Sequence, residues 1–287
     1  MKKLQIQIVT YNSKQHLQGL FLGIQKQANV EYSVLVIDNA STDETVDFIR
    51  QNYPNVDIIE NKENKGFASA HNQAFELSES TYVLVLNHDV ELQENCLSQM
   101  INAIDSNDRI AAVIPKTYKS LPIANNSGII DGLGISIKPW GKMVNIDENK
   151  PDKDQNSSTR EVWGASGSCV LYRLNALQNV RDEYGIYDER FWMYKEDADL
   201  SWRLNRAKWK TVLVPDAVAQ HLRSVQKGDR LTRTDKVKQV SIHNHLLMLK
   251  KNLRWRDWWR VPMIVVYEFL KFIYILLFER QNLIAYK

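Results

Sequence analysis

The chain has 287 residues, of which 44% are hydrophobic and 25% charged, with a formal net charge of +3. This is the make-up of one large folded domain, or of one domain with an extension, and it excludes wholesale disorder. The two cysteines, Cys96 and Cys169, have no metal-type spacing and give no disulfide framework, so a reducing compartment is expected.

Met1-Lys2-Lys3 leads into a polar-interrupted segment with no continuous apolar run, so no signal peptide is expected at this start. Leu4 to Val9 reads as a strand ending in Thr10-Tyr11-Asn12. Leu17, Leu20, Phe21 and Ile24 recur at helical spacing. Val34 to Ile37 is a second strand and ends in Asp38-Asn39. Ser41-Thr42-Asp43-Glu44 matches a capping pattern at a helix start. Val56 to Ile59 reads as a third strand, Asn64-Lys65-Gly66 as a turn, and Phe67 to Leu77 as a helix.

Tyr82 to Leu86 is a continuous apolar run, the pattern of a strand buried on both faces, and it runs into Asn87-His88-Asp89. Asn87 and Asp89 are two residues apart, so in extended chain they share a side and can share an ion. Oxygen ligands of this kind suit a hard divalent cation bound with a phosphorylated substrate. A helix over Asn95–Ile104 and a strand over Ile110–Ile114 follow, then a long polar excursion with some strand from Tyr118 to Ser158. Strand–helix alternation with short connections implies parallel strands with right-handed crossovers. Thr10-Tyr11, Asp38-Asn39 and Asn87–Asp89 then line one sheet edge, where open α/β sheets bind ligands. No Gly-x-Gly-x-x-Gly follows the first strand, and there is no Walker sequence.

Order resumes at Trp163-Gly164-Ala165-Ser166-Gly167, where small residues allow close approach to a ligand, before a strand beginning near Cys169. Phe191, Trp192 and Tyr194 then lead into Glu196, Asp197 and Asp199 at a helix start. The acids there favour the helix dipole, and they also make a general-base site under an aromatic platform. Val212 to Val214 is read as a last strand ended by Pro215-Asp216, with His221 beyond it.

The motifs Asp38-Asn39-Ala40-Ser41-Thr42-Asp43, Asn64-Lys65-Gly66 through Asn72, Asn87-His88-Asp89, Gly164-Ala165-Ser166-Gly167 and Glu196-Asp197 occur in this order. Over residues 4–225 the chain resembles family 2 glycosyltransferases of the GT-A fold, and within them a rhamnosyltransferase-like branch. The resemblance implies a mainly parallel α/β sheet flanked by helices. It implies that Thr10, Tyr11, Asn12, Asp38, Asn39, Asn64, Gly66, Asn72, Asn87 and His88 form the nucleotide site. It also implies that Asp89 and His221 hold a divalent cation (Mg2+ or Mn2+), and that Asp197, beside Glu196, is the catalytic base. Asn87 stands where the family's element has a first Asp, which leaves Asp89 as the single carboxylate there. The implied reaction is inverting transfer of a sugar, with rhamnose among the candidates, from a dTDP- or UDP-linked donor to a glycan or polyprenyl-linked acceptor in cell-surface polysaccharide synthesis. A base and a cation are enough for such chemistry, because no covalent intermediate is needed. Two alternatives are a sugar nucleotidyltransferase and a non-catalytic scaffold of the same fold. The first lacks a Gly-bearing phosphate loop after strand one, and intact Asp89 and Asp197 argue against the second.

Residues 226–287 read as a basic, Trp-rich helical extension. From His221 onward there are 14 Lys and Arg against 5 Asp and Glu, which leaves the remainder of the chain acidic. Val240 to Leu253 is expected to be a helix. Trp255 to Arg260 mixes indoles with Arg, as at a membrane interface. Val261 to Phe278 is apolar but interrupted by Pro262, Glu268 and Lys271. Two charges are expensive within a bilayer, so the segment is expected to lie on the inner face of the cell membrane, or against a second copy of the chain, rather than to span. Nucleic acid is not an expected partner.

Overall fold

The computed structural model describes residues 3–122, 127–152, 157–223 and 234–286. Strand β1 (Leu4–Thr10) lies between β2 (Tyr32–Asp38) and β4 (Tyr82–Asn87), parallel to both. Strand β3 (Asp57–Glu60) extends the parallel set beyond β2. Among the described residues the sheet runs β10 (Arg160–Val162), β12 (Lys210–His221), β6 (Ile110–Ser120), β11 (Cys169–Arg173), β4, β1, β2, β3, with β5 (Val90–Leu92) added on β12 and β7 (Ile129–Gly132) on β6. Strands β6 and β12 are parallel, while β11 runs antiparallel between β4 and β6. The short strand β10 closes the β12 edge, and β8 (Ile135–Ile137) pairs with β9 (Met143–Asn145) as a separate hairpin. The mainly parallel sheet with flanking helices is the expected architecture.

Residues Tyr82–Leu86 are fully buried, as the unbroken apolar run requires of a strand covered on both faces. Helix α1 (Lys14–Gln25) turns Leu17, Leu20, Phe21 and Ile24 onto one face of the sheet. Each such aliphatic contributes roughly 1.5–3 kcal/mol on full burial. On the opposite face α3 (Gly66–Glu76) packs Phe75 against Val83 and Val85.

Two local expectations fail. Ser41-Thr42-Asp43-Glu44 is not a capping box. Helix α2 (Thr45–Asn52) starts after Glu44 in a left-handed conformation, with no side-chain cap bond. Instead the Asp38 carboxylate accepts from the Ser41 amide (2.8 Å) and hydroxyl (2.6 Å), which braces the loop under β2. Strand β12 does not stop at Pro215. The proline sits in a register shift between Val214 and Val218, where a missing N–H removes no ladder bond, and pairing resumes to His221. The polar excursion carries the strand expected of it, as β7, β8 and β9.

Helices α4 (Cys96–Asp105), α5 (Leu174–Asn179) and α6 (Glu196–Arg206) complete the body. Helix α7 (Asp235–Asn252) starts earlier than its apolar face, because Thr234 accepts a bond from the Val237 amide and caps it. It is joined to the body by buried charges. The Lys251 ammonium reaches Asp182 (2.8 Å), Asp188 (2.7 Å) and Asp199 (2.9 Å), and Asn252 donates to Asp199 (2.7 Å). The boundary expected at 225–226 lies outside the described residues. Helix α8 (Val261–Phe278) has the expected bounds, and with the preceding turn Trp255–Arg260 it is long and apolar enough to cross a membrane by length and composition alone.

Candidate active site

The register places Thr10 beside Asp38 and Val9 beside Asn87, so the polar ends of β1, β2 and β4 reach one sheet edge at one level. The Thr10 hydroxyl donates to Asp38 (2.8 Å), and the Asn39 amide N–H donates to the Thr10 carbonyl (2.8 Å). Asn39 in turn donates to the Gly66 carbonyl (3.1 Å) and accepts from Asn61 (2.9 Å). Thr10, Asp38 and Asn39 are thus buried, mutually fixed groups. Asn12 accepts from the Thr42 amide (2.8 Å), and Tyr11 stands half exposed above this floor.

Asn64 accepts from the Gly66 amide (2.9 Å) and so turns the chain into α3. Gly66 has φ +80°, and a Cβ there would lie 2.3 Å from the Trp192 ring, so the sequence must place glycine at this turn. Asn72 points elsewhere. Its amide donates to the Tyr187 carbonyl (2.8 Å) and Glu189 (3.0 Å) and accepts from the Tyr187 amide (3.0 Å), tying α3 to the loop before α6.

The chain leaves extended geometry at His88, so Asn87 and Asp89 do not share a face by simple alternation. Asp89 faces His221. Pairing of β5 with β12 sets Val90 opposite His221 and brings His221 Nε2 to 3.2 Å from Asp89 Oδ1. Behind the ring, Asp131 holds Nδ1 at 2.9 Å and is itself held by Arg223 at 2.6 Å. Burial opposes a charged imidazole, but the hydrogen bonds to Asp131 and Asp89 outweigh it and raise the His221 pKa. Asp131 was not legible as a site residue. It lies 90 positions from His221, and its one signal is an acid set in the apolar stretch Ile129 to Leu133. His88 is half buried with its ring 5.8 Å from that of His16, and burial lowers its pKa, which favours the neutral form.

The small-residue segment 164–168 joins this turn to the acid pair. The Asn87 amide donates to the Ser168 carbonyl (2.8 Å), and the Gly167 amide donates to Asp197 Oδ2 (3.2 Å). The Ala198 amide donates to Asp197 Oδ1 (2.7 Å), so both carboxylate oxygens are oriented by backbone. Asp197 is half buried, whereas Glu196 is buried. Burial, and then the charge of Asp197, push the Glu196 pKa up to about 8. Glu196 is thus neutral near pH 7, beside a half-buried Asp197. Asp199 is fully buried against Arg203 (2.9 Å), Lys251 and Asn252, which makes it a structural acid. Phe191 is also core, whereas Trp192 is partly exposed over Gly66. Trp192, Tyr194 and Lys195 all have positive φ. This unusual backbone is held by Asn244 of α7, whose side-chain amide donates to the carbonyls of Phe191 (2.7 Å), Met193 (2.9 Å) and Tyr194 (2.8 Å).

Two expected results follow from these placements. Glu196 has its pKa raised on folding, so its stabilising contribution is complete below about pH 4.5 and is lost as pH rises through about 8. Glu196→Gln, which cannot ionise, is therefore expected to raise the midpoint of thermal unfolding at pH 9 while changing it little at pH 5. A gain that is the same at both pH values would mean the acid is not held neutral. Asn244→Ala leaves three carbonyls short of a donor and should lower unfolding stability by about 1–3 kcal/mol in a denaturant titration.

The sheet order, with polar strand ends meeting at one edge, is that of the GT-A class of transferase folds. The solved structure of GalNAc-T7 with UDP, GalNAc and Mn2+ superposes with a TM-score of 0.65 at 14% identity, over 87% of this chain and 48% of that one. The mannosyltransferase PcManGT of Pyrobaculum calidifontis with GDP-Man and Mn2+ gives 0.59 at 13% identity, over 92% and 73%. Residues 6–181 match the family model described as Glycosyl transferase family 2, and the chain belongs to that family. An N-acetylglucosaminyl-diphospho-decaprenol L-rhamnosyltransferase of Mycobacterium tuberculosis is 28% identical over 91% of this chain and 87% of its own length. A low-salt glycan biosynthesis hexosyltransferase of Haloferax volcanii is 26% identical over 71% of this chain and 62% of its own. The protein is a glycosyltransferase.

Proposed function

We propose that the chain is an inverting, divalent-cation-dependent transferase that moves a sugar, rhamnose foremost, from a dTDP- or UDP-linked donor to a polyprenyl-linked or glycan acceptor. The step belongs to cell-surface polysaccharide synthesis at the inner face of the cell membrane. The observation that carries the reading is that the 164–168 segment is bonded both to Asn87, two residues before the Asp89 that pairs with His221, and to Asp197. The relative that acts on a diphospho-decaprenol acceptor supports the choice of sugar and acceptor.

The site offers two side-chain ligands for Mg2+ or Mn2+, a carboxylate oxygen and an imidazole nitrogen 3.2 Å apart, with the far ring nitrogen hydrogen-bonded to Asp131. As no group of three or more such metal-holding side chains occurs among the described residues, the diphosphate and water would complete the shell. Asp89 and His221 would hold the cation, which supplies neutralisation of charge growing on the departing nucleoside diphosphate. Asp38 and Asn39 would form the floor for the ribose and base, and the half-exposed Tyr11 ring is available to stack on the base. Asp197 accepts the proton of the acceptor hydroxyl as that oxygen bonds to the anomeric carbon and the bond from that carbon to the diphosphate breaks. Neutral Glu196 leaves a single negative charge beside the nucleophile.

A donor panel tests the reading. The protein is incubated with dTDP-rhamnose and UDP-sugars, Mn2+ or Mg2+, and a polyprenyl-diphosphate-linked amino sugar. Acceptor products are read by mass and by the anomeric configuration of the new bond. An acceptor heavier by one inverted sugar is expected with dTDP-rhamnose. A product of retained configuration, or no product with any donor, would overturn it.

A further inference from the structure

Helix α8 is amphipathic in the reverse of the usual sense. Ile264, Glu268, Lys271 and Ile275 recur at helical spacing on the inward stripe. Glu268 accepts from His245 of α7 (2.8 Å) and from Lys271 (2.8 Å), so the two charges that interrupt the apolar segment are paired against the body. Ile275 is buried with Ile242 and Ala285, and Phe272 packs edge-on against Tyr286 (5.3 Å), which fixes the helix to α7 and to the closing turn Arg280–Tyr286. The outward side carries Pro262, Val265, Val266, Phe269, Leu270, Leu276 and Leu277, with Tyr274 its one exposed hydroxyl. Phe269 and Leu270 are 61% and 62% exposed.

At the head of this face the turn Trp255–Arg260 presents Trp255, Trp258 and Trp259 to solvent beside exposed Arg254 and Arg256. Its one acid, Asp257, is bonded to the Arg254 amide (2.9 Å). Arg260 roots the turn in the body by donating to the carbonyls of Lys138 (2.8 Å) and Pro139 (3.3 Å). An apolar groove of about 440 Å3, lined by Trp140, Pro262, Met263, Val266, Tyr267 and Leu270, opens on the same face.

We infer that the outward face of α8, with the Trp–Arg turn at its head, docks in the plane of an anionic lipid bilayer and does not cross it. This deepens the membrane placement proposed above, and its test does not depend on sugar transfer. Indoles flanked by Arg suit the headgroup layer, the apolar stripe suits the acyl boundary, and the cations match anionic headgroups. A protein partner would call for hydrogen-bonding groups across the patch, whereas among the exposed side chains of α8 itself only Tyr274 carries one. A spanning helix would have to draw Glu268 and Lys271 away from His245 and into hydrocarbon.

The test uses the full chain with phosphatidylcholine vesicles, with and without phosphatidylglycerol, in a sedimentation assay. Binding is expected to the phosphatidylglycerol vesicles, to weaken with salt, and to fall at least about tenfold in Phe269→Asp/Leu270→Asp. Both positions are exposed, so the variant should unfold at the wild-type temperature. Alkaline carbonate is expected to strip the protein from native membranes. Retention after carbonate would show a spanning helix and overturn the proposal. A protein that ignores vesicles and sediments as a dimer, with the double variant monomeric, would assign the face to a second copy and also overturn it. Loss of vesicle binding with transfer to a water-soluble acceptor intact separates this inference from the catalytic reading.

Discussion

Asp197→Asn is expected to lower turnover by about 10²–10⁴, the range for loss of a general base, while donor affinity by calorimetry stays near wild type. The geometry adds a smaller, separable effect. Both Asp197 oxygens accept backbone bonds, from Gly167 and Ala198, and an amide can accept only one of them. A stability loss of about 1 kcal/mol should accompany the loss of rate. If these acids served only the helix dipole, that stability loss would be the whole effect and the rate would stay near normal. Asp199 does not compete for the role, because it is buried against Arg203 and Lys251.

Asp89→Asn is expected to remove transfer altogether and to weaken cation-dependent binding of nucleoside diphosphate strongly. His221→Ala should give a milder loss of the same kind, since the carboxylate remains. The raised His221 pKa sets the pH dependence. A cation must displace the imidazole proton, so cation-dependent nucleotide affinity should fall as pH drops below neutrality and recover above it. Asp131→Asn should move that profile toward lower pH, because it removes one of the carboxylates that hold the ring charged. An unchanged profile in that variant would remove Asp131 from the account.

Much of the body could be read from the chain because parallel, doubly covered strands are written as unbroken apolar runs. Tyr82 to Leu86 is the clearest, and the polar residues that close β1, β2 and β4 meet at one edge as that pattern implies. Local signals failed where a tertiary contact took over a short motif. Ser41 serves Asp38 rather than a helix end, and Pro215 sits in a bulge rather than ending a strand. Asp131 and Asn244 were out of reach for a different reason. Their partners lie 90 and some 50 residues away, and no local pattern ties an acid or an amide to a partner so distant in the chain. In α8 the charges were visible and the helix bounds were correct. Periodicity cannot say which stripe of a helix turns inward, and only the pairing of Glu268 with His245 shows it.

The most direct measurement is nucleoside diphosphate release by the wild-type protein with donor and acceptor, first in excess chelator and then after Mn2+ is restored. The account predicts near-zero release in chelator, recovery with Mn2+, and no recovery in Asp89→Asn. Undiminished release in chelator, or an Asp89→Asn protein as active as wild type, would contradict it.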